Sequence, residues 1–87
     1  MSFQLLVITP QGKVYEDTVD SVAAIGIDGG FEVYSNHAAF LTGLKEGVLK
    51  IRKNAREEIF KTASGILEVK PDHQVLVLVD SAQAPSS

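Results

Sequence analysis

His37 is the residue of this sequence best placed to take part in acid–base or nucleophilic chemistry. Asp28 and Glu32 precede it as carboxylates that could orient an imidazole, and Ser35 precedes it as a hydroxyl nucleophile. Such a set also needs donors that stabilise an oxyanion and a pocket that excludes water, and no motif for either accompanies it. The sequence therefore predicts no catalytic residues.

Metal and nucleotide sites are also poorly encoded. His37 and His73 stand far apart, with neither HxH nor HxxxH spacing, and the chain has no cysteine to serve as a further ligand. Gly29 and Gly30 are followed by Phe31 and lack the lysine that a phosphate-binding loop requires. The glycine pair is typical of a turn that needs a positive φ. We expect neither a metal ion nor an organic cofactor.

The charge balance argues against nucleic acid and anionic membranes as ligands. The 87 residues carry a formal net charge of −3 at pH 7, whereas binding to polyanions needs clustered cations that release counterions. Acidic residues are interleaved with the basic ones between positions 45 and 61, which is typical of a solvated, mixed-charge surface. No apolar run reaches the roughly 18 residues that a membrane helix requires, so we expect membrane association only through partners.

Short strand-like segments separated by turn signals make up most of the chain. They are FQLLVIT, KVYEDTVDSVAAI, GFEVY, GVLKIRK, EEIFKTA, GILEVK and HQVLVLVDS, all rich in Val, Ile, Phe, Tyr or Thr. AAFLTGLK is long enough for one helical turn, but its threonine and glycine make it a poor helix. The pattern predicts an all-β fold, a flattened two-sheet β-sandwich or barrel of about 8–10 short strands. We assign residues 1–82 to this domain and 83–87 to a flexible tail.

Two of these segments are apolar on both faces. In HQVLVLVDS, Val75, Val77 and Val79 point one way while Leu76 and Leu78 point the other way, and FQLLVIT has the same pattern. In an isolated two-sheet sandwich, one face of each strand should meet water. Two explanations remain open: a loop or barrel curvature caps the second apolar face, or a partner protein covers it.

Three stretches occur in the order and spacing of a known family. TPQGKVYED, DSVAAIGIDGGFEVYSNHAAFLTGLKEGVLKIRK and SGILEVKPDHQVLVLVDSA resemble the amino-terminal domain of the epsilon subunit of the F-type ATP synthase, which is called delta in mitochondria. The resemblance runs from about Phe3 to Ala82. Its most specific parts are the segments Asn36–Thr42 and Ala63–Val69.

The resemblance implies a ten-stranded sandwich at the foot of the rotating central stalk, bound to the gamma subunit and to the membrane ring of c subunits. It implies a non-catalytic part in coupling ion transport to ATP synthesis. The complex would lie on the cytoplasmic side of the cell inner membrane, or on the stromal side of a thylakoid. Carried over by position, Asp28, Gly29 and Gly30 would face the ring. The gamma-facing surface would include His37, Phe40, Leu41 and Thr42.

Departures from the family pattern change these expectations. The family commonly has an acidic residue where this chain has Gly30, and glycine where it has Glu32. The ring contact is therefore expected to use a different charge arrangement, displaced onto Asp28 or Glu32. Bacterial members continue into a helical hairpin, whereas this sequence stops at Ser87. We accordingly expect neither inhibition by helix insertion nor ATP binding.

Two other possibilities remain open. A stand-alone β-sandwich module could bind a peptide or small ligand in a cleft rimmed by Tyr34 and His37, although the chain has no tryptophan for carbohydrate stacking. The two-faced apolar strands would also allow the isolated domain to form a homodimer.

Overall fold

Ten β-strands make up the regular structure of the described residues. The computed structural model describes residues 2–35 and 38–84, and every regular element within them is a strand, as the sequence predicts. The strands are β1 (Phe3–Thr9), β2 (Gly12–Val19), β3 (Ser21–Gly26), β4 (Gly29–Tyr34), β5 (Phe40–Leu44), β6 (Gly47–Lys53), β7 (Arg56–Thr62), β8 (Gly65–Lys70), β9 (Gln74–Val79) and β10 (Ala82–Gln83). No helix among the described residues is long and apolar enough to cross a bilayer.

The strands form two layers of five. One ladder runs β10-β7-β6-β3-β5-β8-β9-β1-β2, and β4 pairs with the remaining edge of β3. Because β3 and β5 share a single register pair, Gly26 with Leu44, the sheet turns a corner there. The first layer is β10-β7-β6-β3-β4 and the second is β5-β8-β9-β1-β2. This arrangement confirms the predicted two-sheet sandwich.

The core lies between the two layers and is filled by alternate residues of each strand. Leu5 of β1, Ile51 of β6, Leu67 of β8 and Val77 of β9 are at most 1% exposed. Each such side chain contributes roughly 1.5–3 kcal/mol of burial free energy. Because side chains alternate along a strand, the next residue in each case points to the outside of the sandwich.

The structure divides one predicted segment and adds a strand that the sequence pattern missed. KVYEDTVDSVAAI forms two strands in different layers, β2 and β3, which separate at Asp20. The Asp20 N–H donates to the Arg52 carbonyl at 2.8 Å, and its carboxylate accepts from the Asn54 N–H at 2.9 Å. AAFLTGLK contains β5, because pairing with β8 satisfies backbone groups that a single helical turn would leave open.

Candidate functional site

The tip of the β3–β4 hairpin carries three of the predicted contact residues. Ile27 and Asp28 form its two-residue turn, and Gly29 follows with φ of +124°, a conformation that glycine tolerates best. This confirms the expected positive φ for Gly29, whereas Gly30 continues into β4 without it. Asp28, Gly29 and Gly30 are all exposed. The tip therefore exposes the Asp28 carboxylate and the backbone of Gly29 and Gly30 to solvent.

Glu32 lies on the outer surface of the first layer, where charged side chains predominate. The Tyr34 hydroxyl donates to Glu32 Oε1 at 2.7 Å. This hydrogen bond holds the pKa of the Glu32 carboxyl below its usual range and raises the pKa of the Tyr34 hydroxyl. On the same surface, Arg52 and Glu57 form an ion pair with N and O atoms 3.8 Å apart. Mixed charge of this kind matches the pattern predicted for the segment between positions 45 and 61.

Phe40, Leu41 and Thr42 lie on β5 and point in different directions. The half-buried Phe40 ring meets Phe31 edge-on, with centroids 5.8 Å apart, and packs against the core. Leu41 points outwards and is 64% exposed. The Thr42 hydroxyl donates to the Gly43 carbonyl at 3.3 Å. Of the three side chains, Leu41 is the one most available to a partner.

His37, the residue that raised the question of catalysis, lies outside the described residues. The other histidine, His73, is exposed in the turn between β8 and β9 and has φ of +63°. Within residues 2–35 and 38–84, no group of three His, Cys, Asp or Glu side chains is arranged to hold a metal ion.

An apolar patch lies on the outside of the second layer, where Glu68 is the neighbour in register of both Leu41 and Leu76. We call it the outer apolar face, and it consists of Leu6, Ile8, Leu41, Ile66, Leu76 and Leu78. Register places Ile8 beside Leu78 and Leu78 beside Ile66, so that the three side chains cross neighbouring strands in a row. Ile66 is 40% exposed and Leu78 is 36% exposed. The second apolar side of β1 and β9 is therefore not fully capped by the described part of the chain.

Ile27 joins the hairpin tip to this face. A methyl group built on Gly43 would lie 3.2 Å from Ile27 Cγ2, so the isoleucine occupies the space above the glycine. The Ile27 N–H also donates to the Gly43 carbonyl at 3.1 Å. Sequence reasoning missed this contact, although a glycine inside a strand often marks close approach by another part of the chain. With Ile27 itself 58% exposed, apolar surface continues up to the predicted contact residues.

A cavity at one end of the sandwich corresponds to the cleft expected for a small ligand. Its volume is about 190 Å³, and its walls include Tyr34, together with Phe3, Lys70 and His73. Binding sites for drug-sized molecules usually measure roughly 300–1,000 Å³. This cavity is therefore a weaker candidate for a binding site than the outer apolar face.

Comparison with known families gives a match over nearly the whole chain. Residues 2–85 match the family described as the β-sandwich domain of the ATP synthase delta/epsilon chain. The ATP synthase epsilon chain of Anaeromyxobacter sp. (strain K) is 39% identical over 84 residues, covering 97% of this chain and 63% of the relative. This chain thus spans a little under two thirds of the length of that curated relative.

Solved structures share the fold. A chain in the cryo-EM structure of the Euglena gracilis mitochondrial ATP synthase, OSCP/F1/c-ring, superposes with a TM-score of 0.90 at 14% identity, covering 95% of this chain and 53% of that one. A chain in the Tetrahymena thermophila mitochondrial ATP synthase central stalk/c-ring structure gives a TM-score of 0.77 at 22% identity, covering 91% and 63%. At these identities the likeness establishes a common fold.

Proposed function

This chain belongs to the ATP synthase delta/epsilon chain family, and from that membership we propose that it is a non-catalytic subunit of the rotating central stalk. In this role it links the gamma subunit to the c-subunit ring and transmits rotation between them. It binds no cofactor of its own, and it reaches the membrane only through the complex, on the cytoplasmic or stromal side. Residues 1–82 form the functional domain and 83–87 its tail, with β10 at the junction.

The outer apolar face is the observation that carries this proposal. Leu41, Ile66 and Leu78 leave apolar area open to water on a broad sheet surface, and such area is typical of a protein interface. A flat face suits another protein better than it suits a small ligand, which needs a concave pocket. We assign the outer apolar face to gamma, with His37, Phe40 and Thr42 as further contacts close to it in the chain.

We assign the hairpin tip to the ring. Asp28, Gly29 and Gly30 project there with exposed backbone, and Glu32 lies further along β4. The Asp28 carboxylate would meet basic or polar groups on the ring, in place of the acidic residue that the family has at position 30.

The gamma contact can be tested by binding measurements with purified cognate gamma. Ile66→Thr removes an apolar contact from the outer apolar face, and we expect it to weaken binding about tenfold, or about 1.4 kcal/mol. Val48→Thr is the matched control, because Val48 is 36% exposed on the other layer. Equal losses in both variants, or no binding of the unmodified chain, would count against the assignment.

Assembly with the cognate c ring tests the hairpin contact. Asp28→Lys should reduce recovery of the ring in a complex that also contains gamma. Asp72→Lys is the charge-matched control, because Asp72 is exposed in the turn between β8 and β9 at the opposite end of the sandwich. Undiminished recovery of the ring with Asp28→Lys would contradict the placement of Asp28.

A further inference from the structure

The edges of the two layers differ in how they are protected. A strand edge presents unpaired N–H and C=O groups, which can pair with a strand of another protein. Natural sheets block such pairing with bulges, lysines, very short edge strands, inward-pointing charges or covering segments. In this chain the exposed edges belong to β2, β4, β5 and the β7–β10 side.

The β2 edge carries several of these protections. Its ladder with β1 shifts register between Val7 and Ile8, which leaves Val14 as a bulged residue. Lys13 and Glu16 form an ion pair along the strand. Asp17 is directed towards the other layer, where it accepts a hydrogen bond from Lys53 at 2.6 Å. A bulged, charged strand is a poor template for an incoming chain.

The two halves of the β7 edge are protected in different ways. The two-residue strand β10 covers Lys61 and Thr62. Along the uncovered half, Arg56 and Glu58 pair in register with Lys53 and Ile51, so their side chains point into the space between the layers. These charges line a cavity of about 360 Å³ with Tyr15 and Asp17. An added strand would have to bury them.

The β5 edge is held by the end of β3. Two backbone hydrogen bonds run across the corner, from the Ile27 N–H to the Gly43 carbonyl at 3.1 Å and from the Lys45 N–H to the Ile25 carbonyl at 2.9 Å. The last part of β5 is therefore already paired on this side.

Among residues 2–35 and 38–84, none of these protections is found at β4. Within the described residues it pairs only with β3, and its six residues continue in regular register from Gly29 to Tyr34 without a bulge. The strand contains no lysine, arginine or proline, and Glu32 is its only charge. Gly29 and Gly30 leave the backbone bare at one end. Six residues extend roughly 20 Å, enough for several ladder hydrogen bonds.

We propose that the outer edge of β4 receives an extended strand of the gamma subunit, with a basic side chain opposite Glu32. The inference rests on the proposed function. Ile27 connects the β3–β4 hairpin to the outer apolar face, so a partner lying on that face reaches the hairpin without a gap. An opposite-charge cross-strand pair stabilises a sheet. A second copy of β4 cannot supply this pair, because the strand contains no basic residue.

Residue-resolved amide hydrogen exchange tests the proposal directly. In an antiparallel edge strand, alternate N–H groups point away from the paired neighbour. We expect these β4 amides to exchange rapidly in the free chain and at least about tenfold more slowly in the complex with gamma, which corresponds to stable ladder hydrogen bonds. The corresponding amides of β2 serve as the internal control and should remain unchanged.

The possible outcomes distinguish a failure of strand addition from a failure of the proposed function. If gamma binds and the β4 amides exchange as in the free chain, strand addition is wrong and the rotor assignment stands. If gamma does not bind, the proposed function fails and this inference fails with it. Slow exchange in the free chain that increases with its concentration would show that β4 pairs with a second copy, which would also overturn the proposal.

A pair of variants at Gly30 gives an independent test. A methyl group at this position has its nearest neighbour, the Ala24 carbonyl oxygen, at 3.9 Å, so Gly30→Ala and Gly30→Lys both fit the free chain. Lysine protects an edge against strand addition. We expect Gly30→Lys to weaken binding to gamma alone by about tenfold, while Gly30→Ala stays within about twofold. Equal affinities of the two variants would overturn the proposal.

Discussion

At the scale of single residues, Gly65 shows how little room the paired strands leave. A methyl group built on Gly65 would lie 2.0 Å from the Leu78 carbonyl oxygen and 2.8 Å from the Val79 Cα. Both atoms belong to the backbone of β9, which cannot move aside without breaking its ladder with β8. The φ of Gly65 is not positive, so backbone conformation does not require glycine here. Glycine is required because the two backbones approach closely.

Gly65→Ala should therefore destabilise the fold by about 3 kcal/mol, at the upper end of overpacking effects. The free energy of unfolding in urea measures the change. Gly30→Ala is the control, because its added methyl has 3.9 Å of clearance, and it should cost less than about 0.5 kcal/mol. Equal losses at the two glycines would show that loss of backbone freedom, rather than close approach, sets the effect.

At the scale of elements, side chains rather than a ladder join β2 to the first layer. Lys53 Nζ donates to Asp17 Oδ2 at 2.6 Å, and the Tyr15 and Phe60 rings meet edge-on with centroids 5.9 Å apart. The hydrogen bond from Lys53 is the largest of the effects that lower the pKa of the Asp17 carboxyl. Burial raises the pKa of the Tyr15 hydroxyl, and the charges of Glu58 and Asp17 raise it further. The stability of this seam is therefore expected to depend on pH.

The Asp17–Lys53 pair should stabilise the fold at neutral pH and lose its effect in acid. Because the folded-state pKa of Asp17 is lowered, its contribution is present above the unfolded value of about 3.9 and is lost as pH falls through the folded value. Asp17→Asn should lower unfolding midpoints in urea at pH 7, and the difference from the unmodified chain should shrink towards pH 2. The double change with Lys53→Met separates the pair from either residue alone. A pH-independent difference would contradict this account.

At the scale of the whole molecule, the first and ninth strands meet in the middle of the second layer. β1 pairs in parallel with β9, in register from Gln4 with Gln74 to Ile8 with Leu78. β1 also pairs with β2, so it lies between the second and the ninth strand. Bringing such distant segments together requires loop closure before the contacts form. The sandwich is therefore incomplete until nearly all of the chain has been ordered.

Refolding should accordingly be slow for a chain of this size. Domains dominated by such distant pairings fold in roughly milliseconds to seconds, and stopped-flow dilution from urea should show a rate in that range. Val7→Ala and Val77→Ala, on paired positions of β1 and β9, should both destabilise the fold. Refolding in microseconds would show that the β1–β9 pairing does not limit the rate.

The sequence and the structure agree best where alternation is simple. The predicted segments GVLKIRK and GILEVK match β6 and β8, because each buries one face and leaves the other in water. The sequence did not predict the strand β5, because its threonine and glycine weaken the local signals for secondary structure. The sequence also did not predict the break at Asp20, where the chain passes from one layer to the other within an unbroken strand-like pattern. The contact roles of Asp28, Gly29, Gly30 and Glu32 stay predictions. The contact roles of His37, Phe40, Leu41 and Thr42 also stay predictions.

Composition and two-residue periodicity by themselves determined an all-β sandwich with surplus apolar surface, because alternation along a strand assigns each side chain to one of two faces. Only the tertiary structure decided which surplus residues meet and which edges stay open. Leu41 joins Ile66 and Leu78 on one surface through the β5–β8 ladder, and Ile8 joins them through the pairing of β1 with β9, strands that lie far apart in the chain. The open edge of β4 depends on strand order in the same way. Pairing between distant strands is a property of the assembled sheet, so no local pattern contains it.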